Sequence, residues 1–187
     1  NLYLMQWDGG TLVLPYGCLN DVLNQGDCEV VNELPVPTEV NFGCTVPLYD
    51  YQQEAMEVMK KAYYGILQSP AGSGKTQIGI ALACEIGRKT LWLTHTRDLL
   101  IQSKNRAEQY MDSALTGTIT EGRVHIGKGI TFATVQTMCN LDLDRYRDTW
   151  DCVIVDECHR VAGTPTAVTQ FSKVLNALAA RHKYGLS

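Results

Sequence analysis

The chain has 187 residues, 45% of them hydrophobic and 19% charged, with a formal net charge of −4. That is the composition of a soluble globular protein with one full core and a smaller appendage. The acidic balance excludes a broadly basic nucleic-acid footprint and leaves room only for a local basic groove.

Seven cysteines, Cys18, Cys28, Cys44, Cys84, Cys139, Cys152 and Cys158, are scattered without a CxxC pair or a histidine pattern that would hold zinc. Cys84, Cys152 and Cys158 lie in apolar or motif segments and read as small buried hydrophobes, and the set as a whole implies a reducing cytoplasm. No apolar run reaches the length of about 18 residues that a membrane helix needs, and "NLYLMQWDGG" lacks the build of a signal peptide. The chain starts at Asn1 rather than Met, which suggests a processed or excised piece.

In chain order, "TLVLPYGCL" is strand-like, "NQGDCE" is turn-like and the prolines of "NELPVPTEVNFG" forbid a helix. Residues 1–47 are therefore expected to form a small extended or β-rich segment. "YQQEAMEVMKKAYY" then repeats Ala55, Met56, Met59 and Ala62 at helical spacing. The strand candidate "YGILQS" runs into a glycine loop, and "KTQIGIALACEIG" is a helix that stops at Gly87. "TLWLTH" is a strand, "RDLLIQSKNRAEQYM" a helix and "ITFATV" a strand. "WDCVIVDE" is a continuous apolar run ending in acids, the pattern of a strand buried on both faces. "PTAVTQFSKVLNALAAR" is a helix starting near Pro165, and "KYGLS" begins one more strand. This alternation predicts an α/β fold, a mostly parallel sheet with helices on both faces and ligands at the carboxyl ends of its strands.

Two segments carry chemistry. "SPAGSGKT" sits between strand and helix, as a P-loop does, although the GxxxxGK[ST] pattern would put glycine where Ser69 stands. Backbone N–H groups from Gly72 through Ser73, Gly74 and Lys75 to Thr76 can wrap a phosphate, Lys75 can reach its β and γ groups, and Thr76 can ligate Mg²⁺. Serine serves at position 69 if the backbone there needs no positive φ. The second segment is "DCVIVDECHR", where an acidic pair follows a buried strand. Asp156 can hold the Mg²⁺ through its water shell and Glu157 can orient the attacking water. The guanine-reading NKxD is missing, so ATP is favoured over GTP.

These segments resemble the motifs of superfamily 2 DExH-type helicases and translocases, whose order is kept across residues 48–187. "VDECHR" looks like the DExH box and "SPAGSGKT" like that family's motif I, in which a first glycine is not the rule. "LYDYQQEA" resembles the adenine-reading segment, which maps onto Tyr51 and Gln52. "LTHTRDLLIQ" is similar to motif Ia, with Thr94, Thr96 and Arg97 at positions that touch the nucleic-acid backbone. "TFATVQTM" is similar to motif Ib, mapping to Thr134, Gln136 and Thr137. "KYGLS" is what precedes Ala-Thr in motif III. The resemblance runs closest to the DNA repair and phage helicases and the restriction motors. It implies the first RecA-like domain of a DNA rather than RNA motor, driven by ATP and Mg²⁺, with His159 coupling the nucleotide to motif III.

The chain departs from the family in having Tyr49 in place of an arginine, His95 in place of proline and Cys158 in place of alanine. His125 falls outside every motif. Lys104, Arg106, Arg123 and Lys128 could line a phosphate track, but Lys104 and Arg106 share a helix with Glu108 and read better as a solvated face. The second RecA-like domain and its arginine finger are expected outside this chain, so the 187 residues alone should bind ATP weakly and turn it over slowly. A small kinase would need an arginine-rich lid, and none is visible. A type I or III restriction motor and a nucleotide-dependent docking module without motor activity are the other readings.

Overall fold

A computed structural model describes residues 6–13, 19–24, 34, 36–161 and 169–187. The first elements are the strands β1 (Gln6–Asp8) and β2 (Thr11–Val13), paired antiparallel, and the five-residue helix α1 (Leu19–Leu23). Gly9 and Gly10 turn the hairpin with φ of 54° and 94°, the sign that a tight two-residue hairpin turn demands. The helix was not anticipated, and most of "NQGDCE" lies outside the described residues.

The helix α2 (Asp50–Lys60) is followed by β3 (Tyr64–Leu67), α3 (Lys75–Ile86), β4 (Thr90–Thr94) and α4 (Arg97–Ala107). Next come β5 (Thr116–Thr120), β6 (Arg123–His125), β7 (Ile130–Thr134) and the short helix α5 (Val135–Cys139). The described chain ends with β8 (Cys152–Asp156), α6 (Gln170–Ala177) and β9 (His182–Leu186). Seven strands form one sheet in the order β3-β9-β8-β4-β7-β5-β6, all parallel except β6, which returns antiparallel beside β5. The helix predicted from Pro165 begins at Gln170, where the Thr169 hydroxyl caps it by accepting from Ser172 N, and ends at Ala177 rather than Arg181, since Leu178 is extended; residues 162–168 lie outside the described set.

Strand periodicity explains the layering. On β4, Leu91 and Leu93 face one core while Trp92 faces the other, and on β8, Val153 and Val155 oppose Cys152 and Ile154 in the same way. The Trp92 side collects Met56 and Met59 of α2, Ile78 and Leu82 of α3 and Leu100 of α4. The opposite side collects Val135 and Met138 of α5 with Phe171 and Val174 of α6. Both faces are therefore covered, which is why the central strands read as unbroken apolar runs rather than alternating ones. Gly79 lets α3 lie directly on the sheet, since a Cβ there would come within 2.7 Å of the Trp92 ring and 2.8 Å of Leu186.

Residues 36–47 run along α3. Phe42 is buried in the core, and Val40 N donates to Gly87 O at 2.9 Å, beyond the left-handed C-cap that ends α3 at Gly87. Among the described residues no helix is long and apolar enough to cross a membrane.

Candidate nucleotide and nucleic-acid site

The glycine loop, the acidic pair, the two threonine segments and Ser187 fall on one edge of the sheet, at the carboxyl ends of its strands, while Tyr51 and Gln52 lie in the first turn of α2. Reading across the sheet, the glycine loop follows β3, Ser187 follows β9, the acidic pair closes β8, and the two threonine segments close β4 and β7. Segments far apart in sequence thereby come together, because Leu186 pairs in register with both Leu67 and Asp156. Likewise Thr94 is the register partner of Thr134.

In the loop, Gly72 and Gly74 both have left-handed backbones, φ 82° and 80°, which turn successive N–H groups toward one concavity. Ser69 has no positive φ, so serine is free to stand there. It acts through its backbone: Ser69 N donates to Ser187 O at 2.8 Å, and Ser69 O accepts from Lys75 Nζ at 3.1 Å. Ser73 Oγ is buried without a partner, an orphan polar atom inside the glycine loop. A phosphate group fits this cradle, with Gly72 to Thr76 as its donors and Lys75 as its charge.

The helix α2 buttresses the loop. Gln52 is 3% exposed and uses both ends of its amide, accepting from Tyr49 N at 3.0 Å and donating to Ser73 O at 2.8 Å. Tyr51 OH also donates to Ser73 O at 3.1 Å. The rings of Tyr49 and Tyr51 stack 6.0 Å apart and stay exposed beside the loop. They offer a flat aromatic face at the position where the resemblance implies adenine.

At the end of β8, Asp156 is 5% exposed, and its carboxylate accepts from Glu157 N at 3.1 Å and from Ser103 Oγ at 3.4 Å. Burial, and after it the charge of Glu157, pushes this carboxyl above the ordinary carboxylate range, while the two hydrogen bonds and Lys75 pull it back. A carboxylate raised in the fold favours the folded state when protonated. That stability is present below the unfolded-state pKa and lost as pH rises through the folded one. Asp156→Asn should therefore melt higher than the wild type in the absence of nucleotide, with the gap widening from pH 4 to pH 7, and should lose the Mg²⁺-dependent part of any nucleotide response. Thermal melts across that range check it.

Glu157 is the only described non-glycine residue with positive φ, 55°. A left-handed glutamate costs about 1–2 kcal/mol, strain of the kind that collects at functional positions. Glu157 Oε2 lies 3.3 Å from His159 Nδ1, and the same nitrogen lies 3.4 Å from Ser187 Oγ. His159 thus sits between the acidic pair and the segment after β9.

On the far half of the edge, Thr94 is fully buried and donates to Thr96 O at 3.0 Å, so its hydroxyl fixes the loop and does not face outward. Thr96 caps α4 by accepting from Leu99 N at 3.3 Å, and Arg97 beside it is exposed. Thr134 caps α5 through Thr137 N at 3.3 Å, and the two hydroxyls lie 2.9 Å apart. Gln136 Nε2 is 3.4 Å from His95 Nδ1, which ties the two loops together. Lys104 pairs with Glu108 at 2.5 Å and Arg106 donates to Gln109 at 3.3 Å, so both belong to the solvated face of α4.

Ser103 was missed. It lies in line with Leu100 and Ala107 on the buried side of α4, and a lone hydroxyl on an apolar stripe is the signal that could have found it.

A mostly parallel sheet with a phosphate loop after its edge strand β3, an acid pair on β8 and two capped loops beside it defines a RecA-like motor domain of the superfamily 2 helicase type. Residues 45–187 match the family described as the type III restriction enzyme, res subunit, and the chain belongs to that family. It is 32% identical over 149 residues to a putative DNA 3'-5' helicase Rad25 of Halobacterium salinarum, covering 75% of this chain and 23% of that protein. It is 31% identical over 132 residues to the DNA 3'-5' translocase XPB2 of Sulfurisphaera tokodaii, covering 71% and 29%. The fold is similar to the UvsW helicase from bacteriophage T4, with a TM-score of 0.68 at 21% identity over 96% of this chain and 73% of that one. It is also similar to the Sulfolobus solfataricus SWI2/SNF2 ATPase core in complex with dsDNA, with a TM-score of 0.65 at 16% identity over 83% and 34%. The chain spans about a quarter of the length of the curated relatives it matches.

Proposed function

We propose that this chain is the ATP-binding half of a DNA translocase, in which Mg-ATP hydrolysis on one half of the sheet edge drives movement along a strand held on the other half. The observation that carries this reading is the order of the motifs along the edge. It sets the phosphate loop, His159 and the acid pair next to one another, and the paired loops of Thr94 and Thr134 immediately beyond them.

Bound Mg-ATP supplies the phosphoanhydride and the metal that activates it. Gly72, Ser73, Gly74, Lys75 and Thr76 hold the phosphates, with Tyr51 and Gln52 on the adenine side. Thr76 and Asp156 hold the metal, the latter as the carboxylate that cation charge would favour against the cost of burial. Glu157 orients the attacking water and takes its proton, from a backbone held at positive φ. His159 relays the state of this pair to Ser187. Thr96, Arg97, Gln136 and Thr137, positioned by Thr94 and Thr134, contact the strand backbone, which fixes register without reading bases. The same proposal divides the chain near residue 47 into a small N-terminal segment and the motor domain, assigns an intracellular setting, and leaves the arginine finger to a second RecA-like domain. A restriction-enzyme motor is the second reading, favoured by the family description itself.

Two substitutions in the complete protein test the two halves separately. Lys75→Ala removes one charged contact to phosphate and should weaken Mg-ATP binding by about 10- to 100-fold in titration calorimetry, with DNA affinity kept. Arg97→Ala should weaken DNA binding about evenly across sequences and lower the salt slope by about 1, with ATP affinity kept. Unchanged ATP affinity in the first variant would sink the nucleotide assignment.

A further inference from the structure

The segment before α2 is fastened to α3 along that helix's whole length. Glu39 bridges Arg88, with an ion pair at 3.3 Å, and Val40 N donates to Gly87 O at 2.9 Å. Gln77 Nε2 donates to Pro47 O, and beyond it Gln52 reaches Ser73 O at 2.8 Å. Midway between these anchors Cys44 Sγ faces Cys84 Sγ at 2.6 Å. Cys84 and Gln77 are seven residues apart on α3 and so share one helix face, the face this strap covers. Both cysteines are half-buried and pack against the core on the α3 side of the sheet.

A disulfide bond is about 2.05 Å long, so joining these sulfurs needs a closing move of roughly half an ångström along a contact that already exists. We propose that Cys44 and Cys84 form a reversible disulfide that pins the strap to the helix behind the phosphate loop. Cys44 lies in the strap between the exposed Gly43 and Thr45 and is the sulfur that meets the oxidant, while burial, and after it the adjoining Cys44 and Glu85, push the Cys84 thiol up. With hydrogen peroxide as oxidant, Cys44 thiol and peroxide give Cys44 sulfenic acid and water. Cys84 sulfur then attacks the sulfenic sulfur, the S–S bond forms, and the hydroxyl leaves with the Cys84 proton as a second water. The two sulfurs together lose two electrons and the peroxide gains them. Reduction by a dithiol reverses the step by exchange. The bond would close a loop between positions 40 apart, joining the approach to Tyr49, Tyr51 and Gln52 to the helix that carries the loop. It rests on packing alone and stands or falls independently of the nucleotide assignment.

The test treats the purified chain with hydrogen peroxide, alkylates it under denaturing conditions and maps its peptides by mass spectrometry before and after dithiothreitol. The expected result is one linked peptide pair holding Cys44 and Cys84, a loss of two of the seven thiols, and a melting temperature about 5–10 °C higher that dithiothreitol returns to the starting value. Cys44→Ser should abolish both the linked pair and the shift, as should Cys84→Ser, while Cys139→Ser should keep both. Should Cys84→Ser fail to fold, Cys44→Ser and the wild-type peptide map still decide. Separate alkylation of Cys44 and Cys84, their recovery as sulfinic acids, linkage of any other pair, or a cross-link without a melting shift would each overturn the proposal.

Discussion

Glu157→Gln in the complete protein is expected to lower steady-state ATP turnover by about 10²- to 10⁴-fold while leaving Mg-ATP affinity intact. The amide keeps the size and the backbone of the glutamate, including the 55° φ that aims it, but cannot accept a proton. Removing its charge also removes the second-largest influence that raises Asp156, so the Asp156 carboxylate should ionise more readily in the variant. The outcome to look for is therefore asymmetric, with equal or tighter Mg-ATP binding in calorimetry and nearly absent phosphate release. A docking module in which hydrolysis is incidental would keep its partner-dependent function in this variant, and a motor would lose translocation. Equal turnover in variant and wild type would remove Glu157 from the reaction.

How much of this was legible in the sequence depended on whether the information was local. The helix over Lys75–Ile86 and the buried strand Cys152–Asp156 came through because each carries its own periodicity and its own stop signal, Gly87 in one and the acid pair in the other. The strands of β5 and β6 did not. "TGTITEGRVH" is mostly threonine, glycine and charge, and it is held as sheet by pairing with β7 rather than by its own apolar content. The sequence does not signal the short helix α5, whose first residue Val135 continues the apolar run of the strand before it. What turns the chain there is the Thr134 cap, a hydroxyl whose role shows only once Thr137 is seen three residues on.

The site divides along the same line. Residue types with one chemical use, Lys75, Asp156 and Glu157, could be placed from motif and order. Those that act by tertiary contact could not. Ser103 supports Asp156 across 53 positions, and the backbone of Ser69 ties the phosphate loop to Ser187. The partnership of Cys44 with Cys84 was equally hidden, since neither spacing nor neighbouring residues distinguish these two from the other five cysteines. The mismatch at Ser69 dissolves in the same way. The loop needs glycine where φ is positive, and those positions are Gly72 and Gly74, whereas position 69 contributes an N–H and a carbonyl that any residue has.

Gly74→Ala is the substitution that should separate this phosphate loop from an ordinary strand-to-helix turn. Gly74 is the N-cap of α3 at φ 80°, and an added Cβ there meets Gln52 Nε2, which donates to Ser73 O. An alanine held left-handed costs about 1–2 kcal/mol, so the loop would relax toward negative φ and swing the Gly74 and Lys75 N–H groups away from the concavity. Relaxation in that direction also releases Gln52, leaving a buried amide and the Ser73 carbonyl without each other, at about 1–3 kcal/mol of further cost. Loss of two charge-assisted hydrogen bonds to phosphate would weaken Mg-ATP binding by about 100-fold or more. Melting of the nucleotide-free chain should fall by about 5–15 °C without loss of the fold, because α3 keeps its buried face of Ile78, Leu82 and Ala83 against the sheet. Gly72→Ala makes the comparison sharp. Its φ of 82° imposes the same backbone penalty, but no atom lies within 4 Å of its added Cβ, so it should disturb nucleotide binding without unseating Gln52. If the two variants lose the same melting temperature and the same ATP affinity, the coupling between α2 and the loop through Gln52 is not what holds the cradle open.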